Sequence, residues 1–264
     1  MRLIAHATDF SPEGLPAFAH ALRLAVAFRS GLYLLHVHDP DRREDWSGFP
    51  HVREQLAAWG LLSAGASVDD IAAELGVTVR KIEIRHREAI GGIVRFLAGH
   101  PPDLLVLATH GLTGLSRWLS GSVSGAIATE ARVPTLFLGP SARPFVDAGT
   151  GSLSLAEVVV PVAREPSPRR ALRVLEGMLA PLAPSLRLVH VGETAPWLLD
   201  ERGDPRQVEL RHGPVVETVL DLARGADLVA MPTAGHHGFL DALRGSTTER
   251  VVAEAPCPVL ALPA

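Results

Sequence analysis

Residues 103–111 have the sequence DLLVLATHG, and residues 227–235 have the sequence DLVAMPTAG, so an apolar run that ends in a glycine turn occurs twice. The separation of these two segments is 124 residues. Two further pairs keep this separation: Gly121-Ser122 with Gly245-Ser246, and VPTLFL at 133–138 with CPVLAL at 257–262. Matches at a fixed separation predict two copies of one folding unit.

The front of the repeat has a different separation. LLHVHD at 34–39 matches LVHVGE at 188–193, with 154 residues between matching positions. The separation falls from 154 to 124, so the second copy is 30 residues shorter in its middle. Between the copies, GPSARPFVDAGTGSLS at 139–154 is rich in Gly, Pro and Ser and predicts a linker with few apolar residues to bury. We therefore predict domains at 1–142 and 155–264.

Short apolar runs alternate with helical patterns in each copy, and their continuous apolarity is typical of strands buried on both faces of a parallel sheet. The predicted strands are 2–7, 31–37, 77–84, 103–108 and 133–138, then 157–162, 186–191, 207–211, 227–231 and 258–262. The predicted helices of copy one are Gly14–Phe28, Val52–Leu75, Ile90–Ala98 and Ser122–Ala131. This alternation predicts a doubly wound α/β fold. In copy two, Gly192–Arg206 is too short for a helix like that at 52–75, so we expect one thinly covered sheet face, which packs against the other half.

Composition excludes several classes of protein. With 47% hydrophobic residues in 264, the chain has enough apolar material for a core, so disorder does not describe it. A net charge of -4 without a basic stripe argues against nucleic-acid partners. Cys257 is the one cysteine, which excludes an intrachain disulfide and fits a reducing compartment. No apolar run reaches the roughly 18 residues of a membrane span. MRLIAHATDF at the start lacks the pattern of a signal peptide. We predict a cytoplasmic protein.

The loop after the fourth strand carries the most chemical information. Ala108-Thr109-His110-Gly111 is followed by nine residues and then by Gly121-Ser122, which opens a helix. Free backbone N–H groups and the positive dipole end at a helix start suit a phosphate, and Ser122, Ser124 and Arg117 could add donors and charge. The alternative is that the glycines and serine serve only the turn and the helix cap. His110 abuts this loop, where it contacts phosphate or solvent.

These segments resemble the universal stress protein family, in which the fourth strand ends in Gly-x-x-Gly, nine residues and Gly-Ser/Thr. The similar stretches are THGLTGLSRWLSGS (109–122), ATDFSPEG (7–14), HVHD (36–39), VPTLFL (133–138) and, in copy two, STTERVVAEAPCPVLAL (246–262). The resemblance implies two flavodoxin-like five-stranded sheets of order 3-2-1-4-5. It also implies that the two domains pair through their last strands as an internal pseudo-dimer, and that a homodimer is a further possibility.

Some members of that family bind ATP and others do not. In the binders, an Asp at the end of the first strand contacts adenine, a Val on the second strand lines the base pocket, and the glycine loop holds ribose and phosphates. The positions implied here are Thr8, Asp9, Val37, Ala108, His110, Gly111, Arg117, Gly121, Ser122, Val123 and Ser124. Ala108 departs from the pattern, because it stands where the family has its first glycine. Asp9 has an alternative role, since a carboxylate there can cap the helix that follows.

Copy two departs further from the family pattern. Ala163 takes the place of Asp9, or Glu165 does if the register slips by two, and Pro232 replaces the first glycine. Proline fixes the backbone and removes a donor. Gly235, Gly245 and Ser246 remain, but we expect no nucleotide in this half.

The leading interpretation is therefore a stress-response sensor or regulatory module whose first domain binds an adenine nucleotide such as ATP, with its Mg²⁺. One alternative is an interaction protein that binds no nucleotide, and another is a slow ATPase that uses Arg117 and Mg²⁺. No nucleophile–base arrangement indicates a dedicated enzyme. Two side-chain groups stay open: Trp46, Phe49 and Trp59 form a lid or anchor their segment, and His36 and His38 are candidate metal ligands or ordinary histidines.

Overall fold

The computed structural model describes two compact units of the chain. The described residues are 1–41, 46–109, 123–165, 167–200, 202–233 and 247–263. Of these, unit 1 takes in residues 1–109, 123–140 and 146–153, and unit 2 takes in residues 141–145 and 154–263. Each unit holds one copy of the sequence repeat.

Unit 1 alternates strands with helices, as its apolar pattern predicts. Its strands are β1 (Leu3–Ala7), β2 (Gly31–His38), β3 (Thr78–Arg85), β4 (Leu104–Ala108) and β5 (Thr135–Leu138). Its helices are α1 (Leu15–Phe28), α2 (Val52–Ala58), α3 (Val68–Leu75), α4 (Ala89–Gly99) and α5 (Val123–Ala131). Short 3-10 turns at Pro12–Gly14 and Trp46–Gly48 precede α1 and α2.

Unit 2 repeats the arrangement with fewer described helices. Its strands are β6 (Glu157–Pro161), β7 (Ser185–Val191), β8 (Glu209–Arg211), β9 (Leu228–Thr233) and β10 (Val259–Pro263). Its helices are α6 (Arg169–Leu179), α7 (Val215–Ala223) and α8 (Thr247–Glu254).

The strand order is the same in both units. Unit 1 has the order β3-β2-β1-β4-β5 and unit 2 the order β8-β7-β6-β9-β10, with parallel pairing throughout each. Both are the order 3-2-1-4-5, so the predicted doubly wound, flavodoxin-like fold is confirmed. Loops that follow β1 and β4 therefore lie at one edge of the sheet, where the chain reverses its direction of winding.

The central strands are covered on both faces. Successive residues of a strand point to opposite faces, and Ile4 and Ala5 of β1 are both fully buried, as are Val158 and Val159 of β6. This is the continuous apolar pattern expected of a parallel sheet between helical layers. Cys257, just before β10, is also buried, and burial raises the pKa of its thiol to about 11. A neutral thiol of this kind is unreactive, as expected.

The single helix predicted over Val52–Leu75 is wrong, because the segment forms two helices. α2 ends at Ala58, and Gly60 follows with a φ of 69°, a left-handed conformation that glycine adopts without strain. A new helix starts at Ser67, whose hydroxyl accepts a hydrogen bond from the Asp70 N–H (3.3 Å), while the Asp70 carboxylate accepts one from the Ser67 N–H (2.6 Å). This capping box starts α3 afresh.

The expectation that segment 139–154 is a linker with few residues to bury is also wrong. Phe145 and Val146 are buried, and Val146 forms an antiparallel bridge with Leu153. The turn is closed by the Asp147 carboxylate, which accepts hydrogen bonds from the Thr150 N–H (2.7 Å) and hydroxyl (2.9 Å). We call residues 146–153 the hairpin.

The hairpin is fixed to unit 1 by three side chains. His20 Nε2 accepts the Val146 N–H (3.2 Å), Arg23 Nε donates to the Gly151 carbonyl (2.8 Å), and Trp59 Nε1 donates to the Ala148 carbonyl (2.9 Å). The amino-acid composition of the segment did not reveal this packing, because residues that form turns are typical both of linkers and of compact hairpins. A hairpin can pack here because side chains of unit 1 satisfy the hydrogen bonds of its backbone.

The connection after β7 is short. No helix lies between Val191 and Glu209 among the residues described there, and a bridge between Leu199 and Pro205 closes a small turn instead. The described helices are all too short to cross a bilayer; the longest, α1, has 14 residues.

Candidate functional site

The end of β1 is built as a tight, self-bonded turn. The Thr8 N–H donates to the Leu35 carbonyl (2.9 Å), and the Thr8 carbonyl accepts from His36 Nδ1 (2.9 Å). The side chains of Thr8 and Asp9 each close a turn with the N–H two residues further on: Thr8 Oγ1 accepts the Phe10 N–H (3.0 Å), and Asp9 Oδ1 accepts the Ser11 N–H (3.0 Å). This Asp9 bond goes to Ser11, the residue before the helical turn at Pro12–Gly14, so it closes the strand end and is not the helix cap of the alternative interpretation. Its carboxylate remains exposed at the sheet edge, where a carboxylate can accept further hydrogen bonds.

Phe10 is the residue that sequence reasoning missed. Its φ is 65°, a region that bulky side chains rarely adopt, so surrounding contacts must hold it there. Its ring stacks on His36 at 3.8 Å between centroids and 18° between planes. On the same ring lies Gly48, where an added Cβ would come within 2.4 Å of the ring. The glycine is therefore required for the stack, and the one available signal was a glycine beside aromatic residues.

The aromatic cluster proposed from sequence is only partly assembled. Phe49 is buried, stacks on Trp46 (5.5 Å) and meets Phe10 edge-on (5.0 Å). Trp59 instead serves the hairpin. The anchoring alternative therefore describes Phe49.

A cavity of about 440 Å³ lies beside this cluster in unit 1. It runs between the β1–α1 turn and the start of α2, and its lining includes Thr8, Phe10, Phe18, Phe49, His51 and Glu54. Of the predicted site residues that the structure describes, Thr8 lines this cavity, whereas Asp9, Val37, Ala108 and Ser124 do not.

The end of β4 lies beside that of β1, since Ala7 pairs with Leu107 in the sheet. The Ser124 hydroxyl of α5 donates to the Ala108 carbonyl (2.8 Å), which ties the helix to the strand end. Its hydrogen is therefore used within the fold, and only its acceptor capacity is left for a ligand. Val37, half-buried, lies on β2 opposite Ile84 of β3.

The structure thus brings Thr8, Asp9, Ala108 and Ser124 to one edge of unit 1. The remaining predicted positions lie outside the described residues: His110, Gly111, Arg117, Gly121, Ser122 and the side chain of Val123.

His6 of β1 and His20 of α1 are buried and are held neutral. Burial lowers the pKa of each to about 4, against hydrogen bonds to the carbonyls of Val106 and Pro16 that raise it. His20 donates through Nδ1 and accepts the Val146 N–H at Nε2, so both ring nitrogens are used in the neutral form. His36, considered above as a metal ligand, bonds Thr8 and packs on Phe10 instead.

In unit 2 the same edge lacks the carboxylate. The sheet sets the register: Ile4 pairs with Leu32 and Leu104, and Val158 pairs with Leu186 and Leu228, so Val158 matches Ile4 at a separation of 154. Ala163 therefore occupies the Asp9 position, and the alternative register with Glu165 is excluded.

Comparison with known proteins decides the family. The model of the universal stress protein family matches residues 1–138 and 198–263, more than half of the chain. The chain belongs to the universal stress protein family. A universal stress protein of Methanocaldococcus jannaschii is 32% identical over 143 residues, which cover 49% of this chain and 76% of that protein.

Solved structures share the fold of this family member over its whole length. A universal stress protein from Archaeoglobus fulgidus superposes with a TM-score of 0.61 at 17% identity, covering 99% of this chain and 96% of that one. A functionally unknown protein from Pseudomonas aeruginosa gives 0.63 at 16% identity, covering 99% and 92%. At such identities the likeness concerns the fold alone. It includes β6, α6 and β7, which the family model leaves unmatched.

Proposed function

We propose that unit 1 binds an adenine nucleotide of the ATP type and that the protein acts as a nucleotide-dependent sensor or regulatory module in a stress response. The observation that carries this proposal is the convergence of the β1 and β4 ends at one edge, with Asp9 exposed and Ser124 bonded to Ala108. Ligands of doubly wound sheets bind at such an edge. Membership in the universal stress protein family supports it.

Each predicted residue then has a role. Asp9 accepts the adenine amino group while Thr8 and Val37 line the base, and Ala108 lies under the ribose. Phosphates bind where α5 begins, since a helix start offers free N–H groups and a positive dipole end. The residues placed there by sequence are His110, Gly111, Arg117, Gly121, Ser122, Val123 and Ser124.

Magnesium would arrive with the phosphates of ATP. No group of three or more His, Cys, Asp or Glu side chains forms a metal site within the described part of the chain. Asp9 is the carboxylate at the edge, and one of its oxygens holds the turn. We therefore assign Mg²⁺ to the nucleotide and not to a cage of protein ligands.

The interaction-protein alternative is favoured by one specific observation. Asp9 and Ser124 both make hydrogen bonds within the fold, so neither needs a ligand to be satisfied. In that case the same edge would be a structural remnant, and partner binding would be independent of nucleotide.

Calorimetric titration of ATP, ADP and AMP separates these two functions. Asp9→Asn keeps a side-chain oxygen that can accept the Ser11 N–H, so the turn is retained. It removes the negative charge that would strengthen the hydrogen bond from the adenine amino group, so it tests the contact with the base. We expect ATP affinity to fall about tenfold or more, because a hydrogen bond to a charged group contributes roughly 1.5–3 kcal/mol. Glu165→Gln, beside Ala163 in unit 2, is the matched control and leaves the affinity unchanged. Absence of heat from the wild type at millimolar nucleotide would favour the interaction protein.

A further inference from the structure

Unit 2 contains a cavity of about 530 Å³ between α6 and a turn, of which residues 198–200 and 202–206 are described. Four arginines line it: Arg169 and Arg173 from α6, and Arg202 and Arg206 from the turn. The volume is in the range of small-molecule sites. Arginines from two different elements therefore line one space.

The two carboxylates that line the cavity are already engaged. Glu176 forms an ion pair with Arg206. Asp200 Oδ1 accepts the N–H groups of Asp204 (2.8 Å) and Arg202 (2.9 Å), and hydrogen bonding from the Asp204 backbone, first among several causes, lowers the pKa of this carboxyl. Asp200 therefore stays ionised and holds the turn closed.

The other three guanidinium groups have no ion pair among the described residues: Arg169, Arg173 and Arg202. Arg169 and Arg173 are four residues apart on α6, so their like charges lie on one face of the helix and repel each other. Arg169 is also the first residue of the helix, where positive charge opposes the dipole. These positive charges do not stabilise the fold, and a bound anion would relieve their repulsion.

Unit 1 shows that the arginines are not required by the architecture. At the separation of 154 residues, Arg169 and Arg173 match Leu15 and Ala19 of α1. Leu15 lines the cavity of unit 1 in the corresponding place, together with Phe18. Among the described residues, the cavity beside the first helix is therefore lined by four arginines in unit 2 and by none in unit 1.

We propose that this cavity binds a polyphosphate group, meaning two or more linked phosphates, either inorganic or attached to a nucleotide. Arginine forks bind phosphate oxygens through paired hydrogen bonds. Linked phosphates carry more charge and more acceptor oxygens than a single phosphate, so they can pair with arginines of α6 and of the turn at once. The cavity is partly open and Arg169, Arg173 and Arg202 are exposed, so a dissolved polyphosphate can reach these arginines from solvent.

The direct test is a calorimetric titration of the full chain with inorganic pyrophosphate and triphosphate. Arg173→Gln on the helix and Arg202→Gln on the turn should each weaken pyrophosphate binding about tenfold or more. Arg170→Gln is the matched control, because it removes the same charge from the same helix but does not line the cavity. Because salt screens a charge outside the cavity, Arg170→Gln should change the affinity for pyrophosphate less than threefold. Thermal unfolding of each variant checks that the fold is kept.

Several results would overturn the proposal. These are no binding of pyrophosphate at millimolar concentration, an equal loss in all three variants, or a glutamate-rich peptide that binds more tightly than triphosphate. Loss of pyrophosphate binding in Gly121→Val would also overturn it, because the ligand would then belong to unit 1. In the Gly121→Val background, which disables the nucleotide site proposed in unit 1, ADP that binds like pyrophosphate, with AMP much weaker, would support an inorganic source, whereas ADP that binds at least tenfold more tightly would support a nucleotide. Both of these results keep the polyphosphate assignment.

Discussion

The two units share their backbone bonds and differ in the side chains that surround them. In unit 1, His36 Nδ1 bonds to the Thr8 carbonyl at 2.9 Å, and in unit 2 the matching His190 Nδ1 bonds to the Val162 carbonyl at 2.8 Å. At the opposite edge, the carboxylate of Asp103 accepts the Arg2 and Leu3 N–H groups, and that of Asp227 accepts the Ala156 and Glu157 N–H groups. Bonds that set strand ends are thus repeated in both copies.

The chemistry-bearing positions are not repeated. Asp9 becomes Ala163, and the apolar Leu15 becomes Arg169. The length difference is concentrated as well: His36 pairs with Glu83 and His190 with Leu210, so the separation falls from 154 to 127 within one connection. The same backbone scaffold therefore carries two different surfaces: an edge with the Asp9 carboxylate in unit 1 and a cavity lined by arginines in unit 2.

The largest expected difference between the units is sensitivity to acid. Buried His6 and His20 of unit 1 match Val160 and Val174 in unit 2. Because the folded pKa of each histidine is about 4 against 6.5, the unfolded chain binds more protons. Their stabilising effect is therefore complete above pH 6.5 and is lost as the pH falls from 6.5 to 4, by roughly 3 kcal/mol for each histidine.

Hydrogen exchange at pH 7 and pH 4.5 measures this difference for each unit in the same sample. We expect amides of β1 and β4 to lose protection strongly, while those of β6 and β9 change little. A His20→Gln variant should show a smaller loss in unit 1. Equal loss of protection in both units would mean that the histidines do not distinguish them.

A smaller effect is expected where the hairpin packs on unit 1. Gly151 has a φ of 69°, and an added Cβ would lie 2.5 Å from the Trp59 ring, so Gly151→Ala introduces both backbone strain and overpacking. We expect a loss of about 2–3 kcal/mol, measured by denaturant unfolding with Trp fluorescence. Gly203 of unit 2 is the control, because its φ is 88° but nothing lies within 4 Å. Gly203→Ala should cost about 1 kcal/mol. Equal costs would show that the hairpin does not depend on Trp59.

The smallest effect concerns the edge strand of unit 2. Arg187 holds Glu209 through Nε (2.7 Å) and Nη2 (3.1 Å), where unit 1 has Tyr33 and Ile82. Both groups are about one third exposed, so Glu209→Gln should cost only about 0.5–1 kcal/mol. Repeating the unfolding at high salt should shrink the difference. A loss independent of salt would contradict an electrostatic origin.

Much of the fold could be predicted because its signals are local and repeated. Strand positions follow from apolar runs, and the family resemblance supplied the strand order. The break in Val52–Leu75 was missed because the helical periodicity resumes after it, although Gly60 and the Ser67–Asp70 capping pair both mark it. The hairpin was missed because its partners, such as Trp59, are far away in sequence.

The candidate site was predictable only in part. Asp9 and Ala108 were suggested by the family resemblance, and the register of the sheet decides for Ala163 over Glu165. No pattern foretold that the Ser124 hydroxyl would bond to Ala108, or that Phe10 would take a positive φ to reach His36. These contacts depend on three-dimensional packing between elements, which periodicity does not encode.

We propose that unit 1 has a nucleotide site and that unit 2 has none. A crystal structure of the full chain grown with ATP and Mg²⁺ tests this most directly. We expect electron density for an adenine ring beside Asp9 and Val37 and none beside Ala163. An adenine at the Ala163 edge, or at neither edge under saturating ATP, would contradict it.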